Sequence, residues 1–160
     1  MSTSGKPLSG AELDMWQADA QGHYSNVHPG TPDWNLRGRF RTEPDGSFEV
    51  RTIVPPPYEI PKHGPAGAVL KALGRHCFRP AHLHLKVRHL QYEELTSQLY
   101  FDGGQYLEID VANAVRDDLT IRLNRREVAD GPFRTCFEAS CDFMLMPRHR
   151  APRNDHRGES

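Results

Sequence analysis

Short runs of alternating side chains, each cut off by Gly, Pro or Asp, restrict this chain to β structure. The clearest is "RGRFRTEPDGSFEVRTI", where Phe40 and Thr42 alternate with Arg39 and Arg41, and Phe48 and Val50 with Glu49 and Arg51. Pro44-Asp45-Gly46 lies between the two runs and has the residues of a tight turn, which predicts a β-hairpin. Recurring long helical periods, which an α/β fold needs between its strands, are absent. The expected fold is therefore all-β: a β-sandwich of mainly antiparallel strands with short helical insertions.

The rest of the chain follows the same rhythm. Residues 1–10 read as a loose, polar lead-in. Leu13 and Met15 suggest a strand, and "SNVHPGTPDWNLRG" a loop. "PPPYEIPKHGP" is a stiff extended crossover, because its prolines donate no ladder bonds. "AGAVLKALG" fits one or two helical turns stopped by Gly74. "AHLHLKVRH" and "LTSQLYF" predict two strands, and a short helix then a strand follow near Leu119. "CFEASCDFMLM" predicts a closing strand, and residues 148–160 a polar, disordered tail.

A chain of 160 residues favours one domain. Lys and Arg total 20 against 21 acidic residues, a formal charge of -1, so no basic stripe points to nucleic acid or an anionic membrane. No apolar run is long enough for a membrane-spanning helix, and "MSTSGKPLSG" has no secretion-signal core. Cys77, Cys136 and Cys141 fit neither a disulfide framework nor a zinc knuckle, and a cytoplasmic protein with reduced thiols is the simplest expectation.

Chemistry concentrates in "RPAHLHLKV". Alternate strand residues share a face, so His82, His84 and Lys86 point one way and Leu83, Leu85 and Val87 the other. That is the spacing of a ligand pair, and equally that of a solvated strand face. Glu93 and Glu94 can complete a ferrous or zinc site with the histidines. Tyr24 and Tyr58 offer phenols, which only a strong Lewis acid such as ferric iron deprotonates near neutrality.

Four stretches, "GKPLSGAELDMWQADAQGHYSN", "WNLRGRFRTEPDGSFEVRTIVPPPYEIP", "HGPAGAVLKALGRHCFRPAHLHLKV" and "LTSQLYFDGGQYLEID", occur in order over residues 5–110. Together they resemble the intradiol ring-cleavage dioxygenases of the catechol 1,2-dioxygenase group. The resemblance implies a catalytic unit over residues 5–147 and a non-haem Fe(III) cofactor. Its ligands would be Tyr24, in "GxYS", Tyr58, in "PxxYxIP", and His82 and His84, in "RPAHLH". The implied partners are a catecholic small molecule and O2, and the implied product is a cis,cis-muconate. Tyr58 would leave the metal when catechol binds, and His84 would lie opposite it.

Arg79 matches an active-site arginine, and its alternative is a salt bridge to Glu93 or Asp102. Gln98 matches a residue just outside the ligand set, while Leu36, Pro56 and Cys77 match the pocket neighbourhood. Arg37 and Arg39 are expected to anchor the hairpin through ion pairs. Glu59 stands where proline is common in the group, and Gly104 where an acid is usual. The helical linker on which these enzymes dimerise is expected to be missing, so a homodimer would need another surface. Beside the dioxygenase stand two other readings, a His/carboxylate metalloenzyme and a non-catalytic β-sandwich binding module.

Overall fold

The computed structural model describes residues 1–128 and 134–148. The chain runs through β1 (Glu12–Gln17), β2 (Arg37–Arg41), β3 (Tyr58–Glu59), α1 (Pro65–Ala72), β4 (Phe78–Arg79), β5 (His82–Arg88), β6 (Leu95–Phe101), β7 (Thr120–Ile121), β8 (Asn124–Glu127) and β9 (Thr135–Glu138). The main sheet has the order β2-β1-β5-β6-β7. It is antiparallel except where β6 meets β7. β3 pairs with β4 and β8 with β9 in two small ribbons.

The alternation read from the sequence sorts the sheet into two faces. Leu13 and Met15 of β1, Leu85 and Val87 of β5 and Leu99 of β6 form a core with Leu8, Ala11 and Leu145. Leu13 and Leu85 are almost wholly sealed from solvent, so truncating either to Ala costs about 3 kcal/mol. Register places Trp16 of β1 opposite His84 of β5, and His84 opposite Gln98 of β6. These residues lie on the other face. Further along that face Glu12, Asp14, Arg39, Arg41, Lys86, Arg88 and Glu94 form a lattice of ion pairs. One end of the face is thus a site and the other a screened charge mosaic of small energetic weight.

The turn at Pro44-Asp45-Gly46 forms as expected, but the hairpin does not. Asp45 Oδ1 accepts from the Ser47 N–H at 2.9 Å, and the Gly46 N–H donates to Glu43 O at 2.9 Å. β2 spends its ladder on β1, while residues 48–51 leave it to carry Phe48 and Val50 into the core. The lead-in is also tied down: the N-terminal amine donates to Phe143 O at 2.6 Å, Ser2 bridges Leu145, and Leu8 is core. The closing segment is a strand only over β9; beyond it Cys141 and Phe143 pack against the core without pairing, and Leu145 is both core and bridged to Ser2.

α1 begins with Pro65, whose missing N–H costs nothing in a first turn, and ends at Gly74 with φ 63°. The helix expected before Leu119 is a single 3-10 turn, Asp117–Leu119, leading into β7. The tail expected over residues 148–160 lies outside the described residues except for Arg148, whose Nε donates to Tyr92 O at 2.8 Å. No described helix is long and apolar enough to cross a membrane.

Candidate metal and substrate site

β5 aims both histidines at one point. His82, 1% exposed, donates from Nδ1 to Pro80 O at 2.7 Å, which makes Nε2 the unprotonated nitrogen of the neutral ring. That Nε2 lies 3.0 Å from His84 Nε2. Burial first, and the charge of Arg79 with it, lowers the His82 pKa to about 4 against the Pro80 hydrogen bond. Burial, then His82, Arg79 and Arg37, lowers His84 to about 3. Both rings are therefore neutral donors at neutral pH.

Two tyrosines close over them. Tyr24 lies in the loop after β1, where its N–H donates to His28 Nδ1 at 3.0 Å. Tyr58 is brought in by the β3–β4 ribbon, in register with Arg79. The Tyr24 ring stands edge-on to Tyr58 at 5.2 Å and to His84 at 5.8 Å, and Tyr58 lies 5.5 Å from His82. The Tyr24 hydroxyl is buried and has no hydrogen-bond partner among the described residues. Burial, then Tyr58, pushes its phenol far above the ordinary range.

Arg79, 7% exposed, is the hub behind this cluster. Its Nη2 donates to Gln98 Oε1 and to Tyr100 Oη, each at 2.9 Å, and Nη1 is 3.4 Å from His82 Nε2. Its ion-pair partner is Asp110, rather than Glu93 or Asp102. Burial alone would raise the Asp110 carboxyl, but Arg79 and the N–H groups of Ala114 and Ala112 outweigh it and hold it below the usual carboxylate range. Gln98 also reaches the ligand pair, with Nε2 3.3 Å from His84 Nδ1.

The donor set fits a ferric ion. Two neutral imidazoles and two phenols with no carboxylate form a small, hard-leaning cage, and a buried hydroxyl without a partner is the group a strong Lewis acid would ionise. The structure gives the carboxylate alternative no support. Among the described residues no three of His, Cys, Asp or Glu gather as a cation cage. Glu94 is engaged by Arg88 Nε at 2.6 Å and Lys86 Nζ at 3.3 Å.

The remaining expected residues are at the margin. Leu36, with φ 50°, accepts the Gln17 N–H at 3.1 Å; Pro56 is half-buried in the crossover; Cys77 is half-buried and accepts the Ile60 N–H at 2.9 Å. Glu59 turns outward to Lys62 Nζ at 2.5 Å, away from the phenols. At Gly104 an added Cβ would meet Phe101 O at 2.8 Å, so the turn as built excludes an acidic side chain there. Arg39 pairs with Glu12 and Asp14 as expected, but Arg37 lies over Trp16, with its guanidinium carbon 5.2 Å from the ring centroid. Trp16, Tyr100 and Asp110 were not singled out from sequence, because strand register brings the first two to the site and a long-range ion pair with Arg79 brings the third.

Comparison with known proteins gives the family of the chain. The Dioxygenase_C family, described as "Dioxygenase", matches residues 1–147. A chlorocatechol 1,2-dioxygenase of Rhodococcus opacus is 44% identical over 128 residues, 79% of this chain and 50% of that protein. A 6-chlorohydroxyquinol 1,2-dioxygenase of Cupriavidus pinatubonensis is 41% identical over 143 residues, 89% of this chain and 50% of that protein. The crystal structure of 3-chlorocatechol 1,2-dioxygenase from Rhodococcus opacus 1CP superposes with a TM-score of 0.86 at 49% identity, covering 92% of this chain and 57% of that one. The chain spans about half the length of the curated relatives it matches. With the family match across residues 1–147 and a shared all-β sandwich, the chain belongs to the dioxygenase family, among its intradiol ring-cleavage members.

Proposed function

We propose that the chain opens catechol or a substituted catechol between its two hydroxylated carbons, giving a cis,cis-muconate with O2 as co-substrate. Tyr24, Tyr58, His82 and His84 hold a non-haem ferric ion in this reading. One observation carries it: two histidine nitrogens meet at 3.0 Å beside a buried tyrosine hydroxyl that has no partner among the described residues.

Ferric iron, when bound, supplies the Lewis acidity that ionises phenols and catechol and readies the ring for O2. The chain's side chains do the rest. Tyr58 is less buried than Tyr24, so its phenol oxygen is the better placed to swing free and accept a catechol proton. Arg79 brings a fixed positive charge to the site and stabilises anionic character on the bound ring. Gln98 links that charge to the His84 ring. Leu36, Pro56 and Cys77 are proposed as pocket walls, and their shape decides among ring substituents. Both atoms of O2 enter the product, so no external reductant is needed. The relatives' names (chlorocatechol, 6-chlorohydroxyquinol and catechol dioxygenases) support this substrate class. Three free thiols suit a cytoplasmic setting.

The test is a visible absorption spectrum of the iron-loaded chain before and after anaerobic catechol, followed by oxygen uptake. A reddish tyrosinate-to-iron band that shifts with catechol is the expected result. A colourless protein containing confirmed ferric iron overturns the two-tyrosinate assignment. A normally folded chain that takes up no oxygen favours the binding-module reading.

A further inference from the structure

A single cross-strand row runs over four strands and passes through a proposed metal ligand. Register sets Arg37 of β2 opposite Trp16 of β1, Trp16 opposite His84 of β5, and His84 opposite Gln98 of β6. Directly opposed side chains on one face of a sheet are the pairs that touch. Here the contacts are specific. The Trp16 and His84 rings lie 4.9 Å apart and within 2° of parallel. The Arg37 guanidinium carbon is 5.2 Å from the Trp16 centroid.

Arg37 makes a second contact that leads back to the same centre. Its Nε donates to Ser25 Oγ at 3.4 Å, and Ser25, itself buried, follows Tyr24 in the chain. One cation therefore touches both the plane behind His84 and the loop that carries Tyr24. The other restraints on the His84 ring are the Gln98 amide at its Nδ1 and the edges of His82 and Tyr24. None of these lies flat against it. Among the described residues, Trp16 alone presents a parallel surface that opposes rotation of the imidazole plane.

We propose that Trp16 and Arg37 are positioning residues for the metal centre: Trp16 fixes the plane of His84 so that Nε2 faces the ion, and Arg37 clamps that stack to the Tyr24 loop. The inference rests on the ferric site proposed above. Groups just outside a ligand set commonly change metal affinity by about ten-fold or more. A planar stack does so by restricting the ring to one orientation before metal arrives.

The experiment compares unmodified chain, Trp16→Leu, Trp16→Phe and Arg37→Gln, each loaded with ferric iron. Three quantities are read: the rate of iron loss to an excess of chelator, the position of the tyrosinate-to-iron band, and the thermal midpoint of the iron-free protein. Trp16→Leu is expected to release iron about ten-fold faster with a displaced band. Trp16→Phe, which keeps an aromatic plane, should recover most of the retention. Arg37→Gln should fall between them, and all iron-free midpoints should stay close to that of the unmodified chain.

Release and band unchanged in both Trp16→Leu and Arg37→Gln overturn the proposal. So does faster release that scales with a lowered iron-free midpoint, since that is a general loss of structure. If Trp16→Leu does not fold, Trp16→Phe and Arg37→Gln decide: retention in the first with faster release in the second supports the clamp, and any other pattern overturns it. An unmodified chain with no ferric band fails the metal reading itself, and this inference with it.

Discussion

Asp110 grips Arg79 with both carboxylate oxygens, Oδ1 to Nε and Oδ2 to Nη2, each at 3.2 Å across 31 residues of chain. Neither group has appreciable contact with water. Removing one partner of a buried pair leaves the other charged and unpaired. Asp110→Asn should therefore destabilise the iron-free chain by about 3 kcal/mol, read from denaturant unfolding. Iron content should hold, since Arg79 is not a proposed ligand, while catechol turnover falls as the guanidinium loses its orientation. Unchanged stability would show that the pair is not sealed as described.

Tyr24→Phe is expected to act in opposite directions on stability and on the metal site. Its hydroxyl is buried and has no partner among the described residues, so deleting it relieves a desolvation penalty. The iron-free variant should gain about 1 kcal/mol, measured by thermal or urea unfolding. The ferric-loaded variant should lose roughly half of its tyrosinate absorption, one of two proposed phenolates having gone. A destabilised iron-free variant would mean the hydroxyl has a partner in solution.

Acid should weaken the iron-free chain well above the carboxylate range. His82 and His84 titrate near 4 and near 3 when folded, against about 6.5 when unfolded. Between these values the unfolded chain binds more protons, so stability rises with pH. The contribution is complete above about pH 6.5 and gone below the folded values, with His82 alone worth roughly 3 kcal/mol. Asp110, whose carboxyl is depressed, adds a second loss as pH falls below about 4. Urea midpoints that stay flat between about pH 7 and about pH 5 would contradict buried, neutral imidazoles.

Gly22→Ala should disturb the site through the backbone. Gly22 has φ 84°, and a Cβ there would meet Tyr58 Cβ at 3.2 Å. The left-handed conformation costs an L-residue about 1–2 kcal/mol, and the new methyl presses on a proposed ligand. A lower thermal midpoint together with a shifted ferric band is expected. A lower midpoint with an unmoved band would confine the effect to the loop.

What could be read from the sequence was local. Alternation in "RPAHLHLKV" correctly divided β5 into a core face and a histidine face, Pro44-Asp45-Gly46 marked a turn, and Gly74 marked a helix end. Partners chosen by strand order could not be read. The arm after the Pro44 turn looked like the mate of β2, but β1 has the same alternation and takes the ladder. Trp16 looked like any aromatic beside a strand until register set it against His84. Asp110 sits in an irregular segment whose sequence carries no sign of a partner 31 residues earlier. The proposed ligands were legible because each occurs in a short motif, but their surroundings are assembled from distant parts of the chain.

The two-faced alternation of β5 also sets where this chain can tolerate insertions and deletions. Losing or gaining one residue between Leu83 and Val87 would turn the downstream side chains over, sending Lys86 toward Leu13 and Leu99 and pulling Leu85 out among the charges. No neighbouring substitution can compensate, because core and histidines share one alignment. The turn around Leu90, which is almost fully exposed, lies outside that alignment and can change length with less effect on it. Length variation among functional versions of this chain should therefore collect in such turns and be excluded from the seven residues of β5.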